Sequence, residues 1–354
     1  METNERKMAF LAHWVESWNW LLWPFSCLHR HPEWRYWFFW LYPMCWVMSV
    51  KYLVGKKPFD TVDRFVFKTP AGEEIDCRTV LLRNFGWHFF LPTRRNGIKK
   101  RILDAVLELQ RKGVKVIGLG ALIKDIRITD GGSWIVKELS DRLWAWIVHG
   151  DTLTAATVIR QALALIEKYQ IKGPVFLTGS TSKIGRAVAI DLARRGVRVL
   201  MYTQDLERFQ SIAKEAGDCS DKLEWTNSLS WGSSCQLWIT GKAIPSRRDL
   251  YKHIPDDAVV LNFAVPNPLK KRDFRARPDI KHFEGGLLAY DPQKVDIHFT
   301  MRLKPGITYA CHAGTFIHSF KEWQFHEVGP VDLQRLDETW RAAEEIGFFL
   351  PPVN

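Results

Sequence analysis

Residues 174–210 read PVFLTGSTSKIGRAVAIDLARRGVRVLMYTQDLERFQ, an order of short apolar runs and glycines that few folds accommodate. The runs at 175–177 and 197–201 have the length of buried strands, and residues 184–195 have the pattern of a helix closed by Gly196. Strand, glycine turn, helix and strand in this order form the βαβ unit of a parallel sheet. Later apolar runs continue the sheet, so we predict a Rossmann-like dinucleotide-binding domain over residues 171–270.

The turn between the first strand and the helix reads TGSTSKIG, residues 178–185. Backbone N–H groups and the positive end of the helix dipole bind a pyrophosphate at such a turn. Ser182 stands at the middle position, where glycine is usual, so a Rossmann-like domain that keeps its shape without a cofactor remains an alternative. The predicted cofactor-binding residues of this turn are Thr178, Gly179, Thr181, Ser182, Lys183, Ile184 and Gly185.

The end of the second strand bears on the choice of cofactor. A carboxylate there favours the ribose hydroxyls of NADH, and an arginine favours the 2′-phosphate of NADPH. Gln204 is neither, and Asp205 comes one residue later. Because Lys183 and Arg208 are close enough in sequence to meet a 2′-phosphate, we predict NADPH, with Gln204 and Arg208 added to the binding residues.

The segments on either side of this domain predict a second α/β lobe. Residues 98–109 carry an apolar helical face, and residues 114–121 read as a buried strand that runs into a glycine loop. We therefore expect an α/β fold with a Rossmann-like parallel sheet and a substrate lobe built from N- and C-terminal segments. Residues 56–170 supply the first part of that lobe, and residues 271–354 supply the second.

The N-terminal residues are unusually aromatic, with eight of the chain's 17 tryptophans in the first 46 positions. Tryptophan is typical of the membrane–water interface, which suits its apolar ring and polar N–H. The apolar run 37–50 is broken by Pro43 and is shorter than the ~20 residues of a membrane span. We predict an interfacial or re-entrant membrane segment over residues 1–55, with a single tilted span or a hydrophobic flap on a soluble domain as alternatives.

The net charge of +11 suits phosphate-bearing partners and anionic membrane surfaces. We predict acyl-CoA or an acyl carrier protein and a membrane surface as partners, at the cytosolic face of the endoplasmic reticulum if the source is eukaryotic. Nucleic acid is not predicted, because the basic runs match no recognised motif and the aromatic residues are not interleaved with them. The six cysteines are scattered without a C-x-x-C pair, which indicates reduced thiols and no metal site.

One cysteine lies in a distinctive context, GITYACHAG at residues 306–314. Cys311 is expected to open a helix, where a thiol has more thiolate character and is a nucleophile toward thioesters and aldehydes. His312 is predicted to assist thiolate formation or to donate a proton. The alternative is that Cys311 is one more small residue of the core.

Five segments carry a family resemblance: LLWPFS (21–26), KGVKVIGLG (112–120), VHGDT (148–152), TGSTSKIGRAVA (178–189) and the ACHAG to HEVGPVDL region (310–333). Together they resemble the C-terminal domain of plant eceriferum-type very-long-chain aldehyde decarbonylases, which form cuticular alkanes. More distantly, the region resembles cyanobacterial long-chain acyl-carrier-protein reductase, which implies a nucleophilic cysteine at Cys311 and NADPH. His312, Gly314, Ser182 and Gln204 depart from the reductase pattern.

The resemblance implies a function with one alternative. The expected function is NADPH-dependent reduction of a long- or very-long-chain acyl thioester to an aldehyde through a Cys311 acyl-enzyme, in wax or alkane biosynthesis. The alternative is a non-catalytic, membrane-associated partner that binds acyl chains or aldehydes for a separate di-iron alkane-forming enzyme. The plant proteins also carry clustered histidines for a di-iron site, whereas this sequence has no H-x-x-H-H pair and predicts no metal. His318 and His326 are expected to pack or cap helices.

Overall fold

The computed structural model describes residues 6–14, 57–241, 251–265, 267, 269, 271–293, 297, 301 and 303–352. The chain divides into two units. The first comprises Met1–Gly150, Leu288–Pro330 and Arg341–Phe349, and the second comprises Asp151–Leu287, Val331–Trp340 and Leu350–Asn354. The main boundaries therefore fall at 150/151 and 287/288, compared with 170/171 and 270/271 in the sequence-based division.

The described residues form the following strands and helices. The strands are β1 Arg6–Trp14, β2 Phe59–Lys68, β3 Glu74–Phe85, β4 Val116–Leu119, β5 Trp146–Val148, β6 Val175–Thr178, β7 Val199–Tyr202, β8 Leu223–Thr226, β9 Leu237–Thr240, β10 Val259–Asn262, β11 Lys281–Glu284, β12 Leu287–Ala289 and β13 Ile307–Tyr309. The α-helices are α1 Arg95–Arg111, α2 Ser133–Leu139, α3 Asp151–Lys168, α4 Lys183–Arg194, α5 Leu206–Ala216, α6 Lys271–Ala276, α7 Ala310–Phe320 and α8 Leu336–Glu345.

The first unit contains a five-stranded sheet in the order β2-β3-β1-β4-β5. Strand β2 is antiparallel to β3, and the other neighbours are parallel. Side chains alternate between the two faces of β1. Ala9 and Leu11 join a core that includes Ile98 and Ile102 of α1, whereas the ring of Phe10 contacts His312 of α7.

The first strand corrects the prediction for the N-terminus. Residues 8–14 are buried, and β1 lies in the middle of the sheet. A parallel strand that is covered on both faces is mostly apolar, which explains the sequence of this segment. The predicted membrane-interface segment of residues 1–55 is therefore wrong for residues 6–14, and residues 15–55 lie outside the described part of the chain. Among the described residues, no helix is long and apolar enough to cross a membrane.

Two glycines of the GLG sequence set the spacing in this unit. A Cβ added to Gly118 would lie 2.0 Å from Oγ1 of Thr315 in α7. A Cβ on Gly120 would lie 2.7 Å from the ring of Phe10. The missing side chain of Gly118 therefore lets α7 pack directly on β4, and that of Gly120 leaves room for the Phe10 ring.

The second unit contains a six-stranded parallel sheet in the order β11-β10-β9-β6-β7-β8. Numbered within this unit, the order is 6-5-4-1-2-3, which is the strand order of the Rossmann fold. The inner strands β6, β9 and β10 are buried throughout, and the sheet core includes Phe176, Trp238 and Val260. The predicted Rossmann-like α/β fold is confirmed.

Candidate functional site

The turn at residues 178–185 has the backbone geometry that the glycine pattern predicts. Gly179 adopts a φ of +68°, in the region that favours glycine. A Cβ on Gly185 would lie 2.1 Å from the carbonyl oxygen of Gly179, so only glycine lets the start of α4 approach the turn this closely. The turn and the start of α4 therefore lie close together, as they do where a helix N-terminus binds a pyrophosphate.

Ser182 has a defined structural role at the position where glycine is usual. It is the N-cap of α4, and its Oγ accepts a hydrogen bond of 3.1 Å from the N–H of Gly185. Its φ of −72° is an ordinary value, so the backbone needs no glycine here. Ser182 is consequently compatible with the backbone of the turn, and its side chain stabilises the start of α4.

The remaining predicted residues of the turn lie in order along it. Thr181 is half-buried, Lys183 is the first residue of α4, and Ile184 follows it half-buried. Thr178 is fully buried, and its Oγ1 finds no hydrogen-bond partner among the described residues. A buried hydroxyl without a partner at the mouth of the turn fits a polar ligand, because leaving it unsatisfied costs free energy.

A polar row crosses the sheet at the carboxyl ends of its strands, where open α/β sheets bind ligands. The Asn262 amide links this row, because it accepts from Thr240 Oγ1 at 2.9 Å and donates to Glu284 Oε2 at 3.3 Å. Sequence reasoning missed the row, although Thr178, Thr240 and Asn262 each come directly after an apolar run. Its members, in register, are Glu284, Asn262, Thr240, Thr178, Tyr202 and Thr226.

The residues after β7 differ in their availability to a ligand. Gln204 is exposed and donates to Tyr202 Oη at 3.2 Å and to the Asn227 carbonyl at 2.8 Å. Asp205 is the N-cap of α5, and its carboxylate accepts the N–H of Arg208 at 3.0 Å. The carboxylate is thus engaged in capping, while the exposed Arg208 side chain extends from the first turn of α5.

Cys311 is the second residue of α7 in the first unit. Its side chain is half-buried and forms no disulfide. The N-cap, Tyr309, supplies no side-chain hydrogen bond to the first turn. Gly150, with a φ of +66°, lies against this turn, because an added Cβ would be 2.3 Å from the Cys311 carbonyl oxygen. Two segments that carry the family resemblance, VHGDT and ACHAG, therefore meet here.

A histidine–glutamate pair lies beside Gly150. His149 is fully buried, and its Nδ1 is 3.0 Å from Oε1 of Glu327. The backbone reinforces the pair, since the N–H of His149 donates to the Glu327 carbonyl at 2.9 Å. Nζ of Lys124 donates to the His149 carbonyl at 3.1 Å. Sequence reasoning missed His149 and Glu327, and the signal that could have found them is their place in the resembling segments.

His312 lies in the core of the first unit. It is fully buried between the rings of Phe10 and Phe316, and its Nδ1 is 3.1 Å from Thr308 Oγ1. Burial lowers the pKa of His312 to about 3. Consecutive residues of a helix do not face each other. The position of His312 therefore lends no support to its predicted role beside Cys311.

The other two histidines of this region make structural contacts. Nε2 of His318 donates to the Phe325 carbonyl at 2.8 Å, and Nδ1 of His326 accepts from the N–H of Ile147 at 3.1 Å. Within the described ranges, no group of three or more His, Cys, Asp or Glu side chains is arranged to hold a metal ion.

The sheet order and the glycine turn define the second unit as a Rossmann-like domain. Residues 175–351, half of the chain, match the family described as "CER1-like, C-terminal domain". The chain belongs to this family, and the resemblance inferred from the sequence motifs is confirmed.

Two proteins similar to this chain are both named as very-long-chain aldehyde decarbonylases. The chain is 34% identical over 265 residues to very-long-chain aldehyde decarbonylase GL1-2 of Oryza sativa subsp. indica, covering 74% of this chain and 40% of that protein. It is 24% identical over 287 residues to very-long-chain aldehyde decarbonylase CER1 of Arabidopsis thaliana, covering 80% of this chain and 43% of that one. The chain thus spans about two fifths of the length of these relatives.

Solved structures add little to this comparison. A shikimate 5-dehydrogenase from Thermus thermophilus covers 96% of this chain and 99% of its own length, at 14% identity and a TM-score of 0.39. A similarity of this size carries no argument about fold or function.

The relatives correct the expected function. They are named as aldehyde decarbonylases, enzymes for which an aldehyde is the substrate. A fatty acyl-thioester reductase would instead release an aldehyde as its product. The prediction of an acyl-CoA or acyl-carrier-protein reductase acting through a Cys311 acyl-enzyme is therefore wrong.

Proposed function

We propose that this chain binds NADP(H) in its second unit and takes part in the conversion of very-long-chain aldehydes to alkanes. The observation that carries the proposal is the turn at residues 178–185, at the carboxyl edge of a parallel sheet with the Rossmann strand order. The names of the relatives supply the substrate class, since they describe very-long-chain aldehyde decarbonylases.

The residues of the second unit suit a dinucleotide. Backbone N–H groups between Gly179 and Lys183 would hold the pyrophosphate, with the dipole of α4 favouring its charge. The Asp205 carboxylate is occupied by capping and Arg208 is exposed nearby, which favours a 2′-phosphate over an unmodified ribose. The bound cofactor would supply a hydride donor or acceptor. The polar row would orient its nicotinamide ring.

In the first unit, Cys311 suits an aldehyde better than a thioester under this function. Its thiol adds to the aldehyde carbonyl, so that an S–C bond forms, the C=O π bond breaks, and the thiol proton ends on the carbonyl oxygen. The product is a hemithioacetal, and no oxidant or reductant is consumed. Half-burial at the start of α7 gives the sulfur access while holding it in place.

The predicted partners and location remain predictions. These are acyl-CoA or an acyl carrier protein, a di-iron alkane-forming enzyme and a membrane surface at the cytosolic face of the endoplasmic reticulum. Of these, the membrane surface agrees best with the proposed function, because a very-long-chain aldehyde dissolves in lipid.

The aldehyde step is tested by alkylating the cysteines with iodoacetamide, with and without a long-chain aldehyde, and following each cysteine by mass spectrometry. We expect the aldehyde to slow alkylation of Cys311 severalfold and to leave the half-buried Cys219 of the second unit unchanged. Equal rates at Cys311 with and without aldehyde would remove the thiol from the proposal. NADPH binding to the second unit is measured separately, by calorimetry.

A further inference from the structure

Four large apolar side chains stand exposed around the end of β3, and we call them the apolar tip. Trp87, Phe90 and Leu91 are 40%, 58% and 37% exposed, and Ile126 is 69% exposed. The guanidinium of Arg127 lies 5.9 Å from the centre of the Phe90 ring, so the chain at residues 126–127 runs close to Phe90. A soluble surface gains nothing from exposing such side chains together, so the tip indicates an interaction surface.

A basic segment follows the apolar tip directly. Residues 86–101, GWHFFLPTRRNGIKKR, contain five lysines and arginines and no acidic residue. They include the N-cap Arg94 and the first two turns of α1, where no acidic residue occupies the first turn and no side chain caps the helix. Cations at a helix N-terminus oppose the helix dipole. Helix stability therefore disfavours this arrangement. Arg101 donates to the Arg83 carbonyl at 2.7 Å and Lys99 lies 4.6 Å from the Trp134 ring, so Arg94 and Lys100 are the exposed cations that indicate a ligand.

The neighbouring carboxylate does not offset this positive charge. Asp125 forms hydrogen bonds of 2.8 and 2.9 Å with the Arg127 side chain. Arg127 is the main cause of a lowered pKa for Asp125, and Arg95 lowers it further. Asp125 is thus paired chiefly with Arg127, and the carboxylate of Asp104 acts on Arg101, so neither carboxylate neutralises the exposed Arg94 and Lys100.

We propose that the apolar tip and the basic residues of 94–101 form a docking surface for an anionic lipid membrane. Aromatic and aliphatic side chains enter the boundary between headgroups and acyl chains, and lysines and arginines bind the lipid phosphates. This combination of protruding apolar groups with adjacent cations matches an anionic bilayer in charge and polarity. It lies in the described part of the first unit, away in sequence from residues 15–55.

The test measures sedimentation of the full chain with phosphatidylcholine vesicles, with and without phosphatidylserine, over a range of salt concentrations. We expect binding that requires phosphatidylserine and weakens with salt. Arg94→Gln with Lys100→Gln should weaken it about 25-fold, since each basic residue near the surface contributes about fivefold. Phe90→Ser with Ile126→Ser should weaken it about tenfold or more, because both side chains lose their burial in lipid.

Matched variants control for general effects. Phe349→Ser removes a phenylalanine that is 50% exposed elsewhere, and Lys172→Gln with Lys214→Gln removes two exposed lysines of the second unit. These variants should bind vesicles as the wild type does, and circular dichroism establishes that every variant is folded.

Three results would overturn the proposal. Wild type that ignores phosphatidylserine vesicles would show that the surface serves something else, such as an acidic protein. If the variants of the apolar tip and of the basic residues bind as well as their controls, another segment of the chain contacts the lipid. A photoreactive lipid that labels residues 15–55 and does not label residues 86–101 would also show that another segment contacts the lipid. None of these measurements involves a dinucleotide or an aldehyde, so their failure leaves the proposed function to its own test.

Discussion

Two helix N-termini, one in each unit, follow opposite designs. Helix α4 begins at a turn whose residues are consecutive, and Ser182 caps its first turn. Helix α7 begins without a side-chain cap, and its first turn is positioned by Gly150, more than a hundred residues earlier in the chain. The first design is local and can be read as a motif, whereas the second depends on the packing of distant segments.

The two units also differ in buried titratable groups. Burial lowers the pKa of His13 and His88 to about 4 and that of His312 to about 3, and all three lie in the first unit. For His88, the charges of Arg94 and Arg101 add to the effect of burial. The described part of the second unit has a lowered histidine pKa at His282, which is also the result of burial. The first unit should therefore be the more sensitive to acid.

The largest effect on cofactor binding is expected from Gly185→Ala. The added Cβ meets the Gly179 carbonyl oxygen at 2.1 Å, so the turn must open. We expect NADPH binding to be lost and the free energy of unfolding to fall by about 1–3 kcal/mol. Calorimetric titration and urea unfolding measure the two effects.

Gly173→Ala is the matched control, because nothing lies within 4 Å of its added Cβ. It should bind NADPH as the wild type does. Equal binding by Gly185→Ala would show that the close approach at the turn is unimportant for the cofactor.

Gly150→Ala tests the packed design of α7. Its Cβ would meet the Cys311 backbone at 2.3–2.8 Å, and its φ of +66° is strained for alanine. We expect a loss of about 2–4 kcal/mol in the free energy of unfolding, about 1 kcal/mol of it from backbone strain.

Gly72→Ala separates these two contributions. Gly72 has a φ of +84° with no atom within 4 Å of an added Cβ, so its replacement reports strain alone. If the two variants lose equal stability, the contact between Gly150 and the start of α7 contributes nothing.

Acid should destabilise the first unit through its neutral histidines. Between the ordinary histidine pKa of 6.5 and the folded value, the unfolded chain binds a proton that the folded chain does not. Stability is therefore fully present above pH ~6.5 and falls as the pH is lowered. From pH 7.5 to 5.5 we expect a loss of about 1 kcal/mol for each histidine.

His312→Phe checks this acid response. It keeps an aromatic ring between Phe10 and Phe316 and removes one titrating group. Free energies of unfolding in urea at pH 7.5 and 5.5 should differ less in the variant than in the wild type, by about 1 kcal/mol. An unchanged difference would mean that His312 is not the buried neutral group described above.

The smallest effect belongs to Ser182. Ser182→Ala should cost about 1 kcal/mol of stability through the lost cap, whereas Ser182→Gly should cost only a few tenths. Ser182→Gly should keep NADPH affinity, because the φ of −72° places no demand on this residue. A larger loss of stability in Ser182→Gly than in Ser182→Ala would contradict the capping role.

The fold of the second unit could be predicted from the sequence because its signals are local. The four inner strands, β6, β7, β9 and β10, are short apolar runs, and the turn at 178–185 lies between a strand and its own helix. The polar row across the sheet was missed because it depends on register between strands. Thr178 and Asn262, for example, are separated by 84 positions and are placed in one row only by β9.

The first unit was harder to predict, for a physical reason. Strand β1 pairs with β3 and β4, which lie far along the chain, so its apolar sequence gives no local indication of a sheet. The high tryptophan count favoured a membrane interpretation, yet Trp14 is fully buried at the end of β1. The His149–Glu327 pair likewise forms only when a C-terminal segment bridges to β5.

Calorimetric titration of the wild-type chain with NADPH, and separately with NADH, tests the central claim most directly. The proposed function predicts saturable binding at one site per chain, tighter for NADPH than for NADH, with the preference reduced by Arg208→Ala. Binding of neither dinucleotide would contradict it, and the second unit would then be a Rossmann-like domain that keeps its turn without a cofactor.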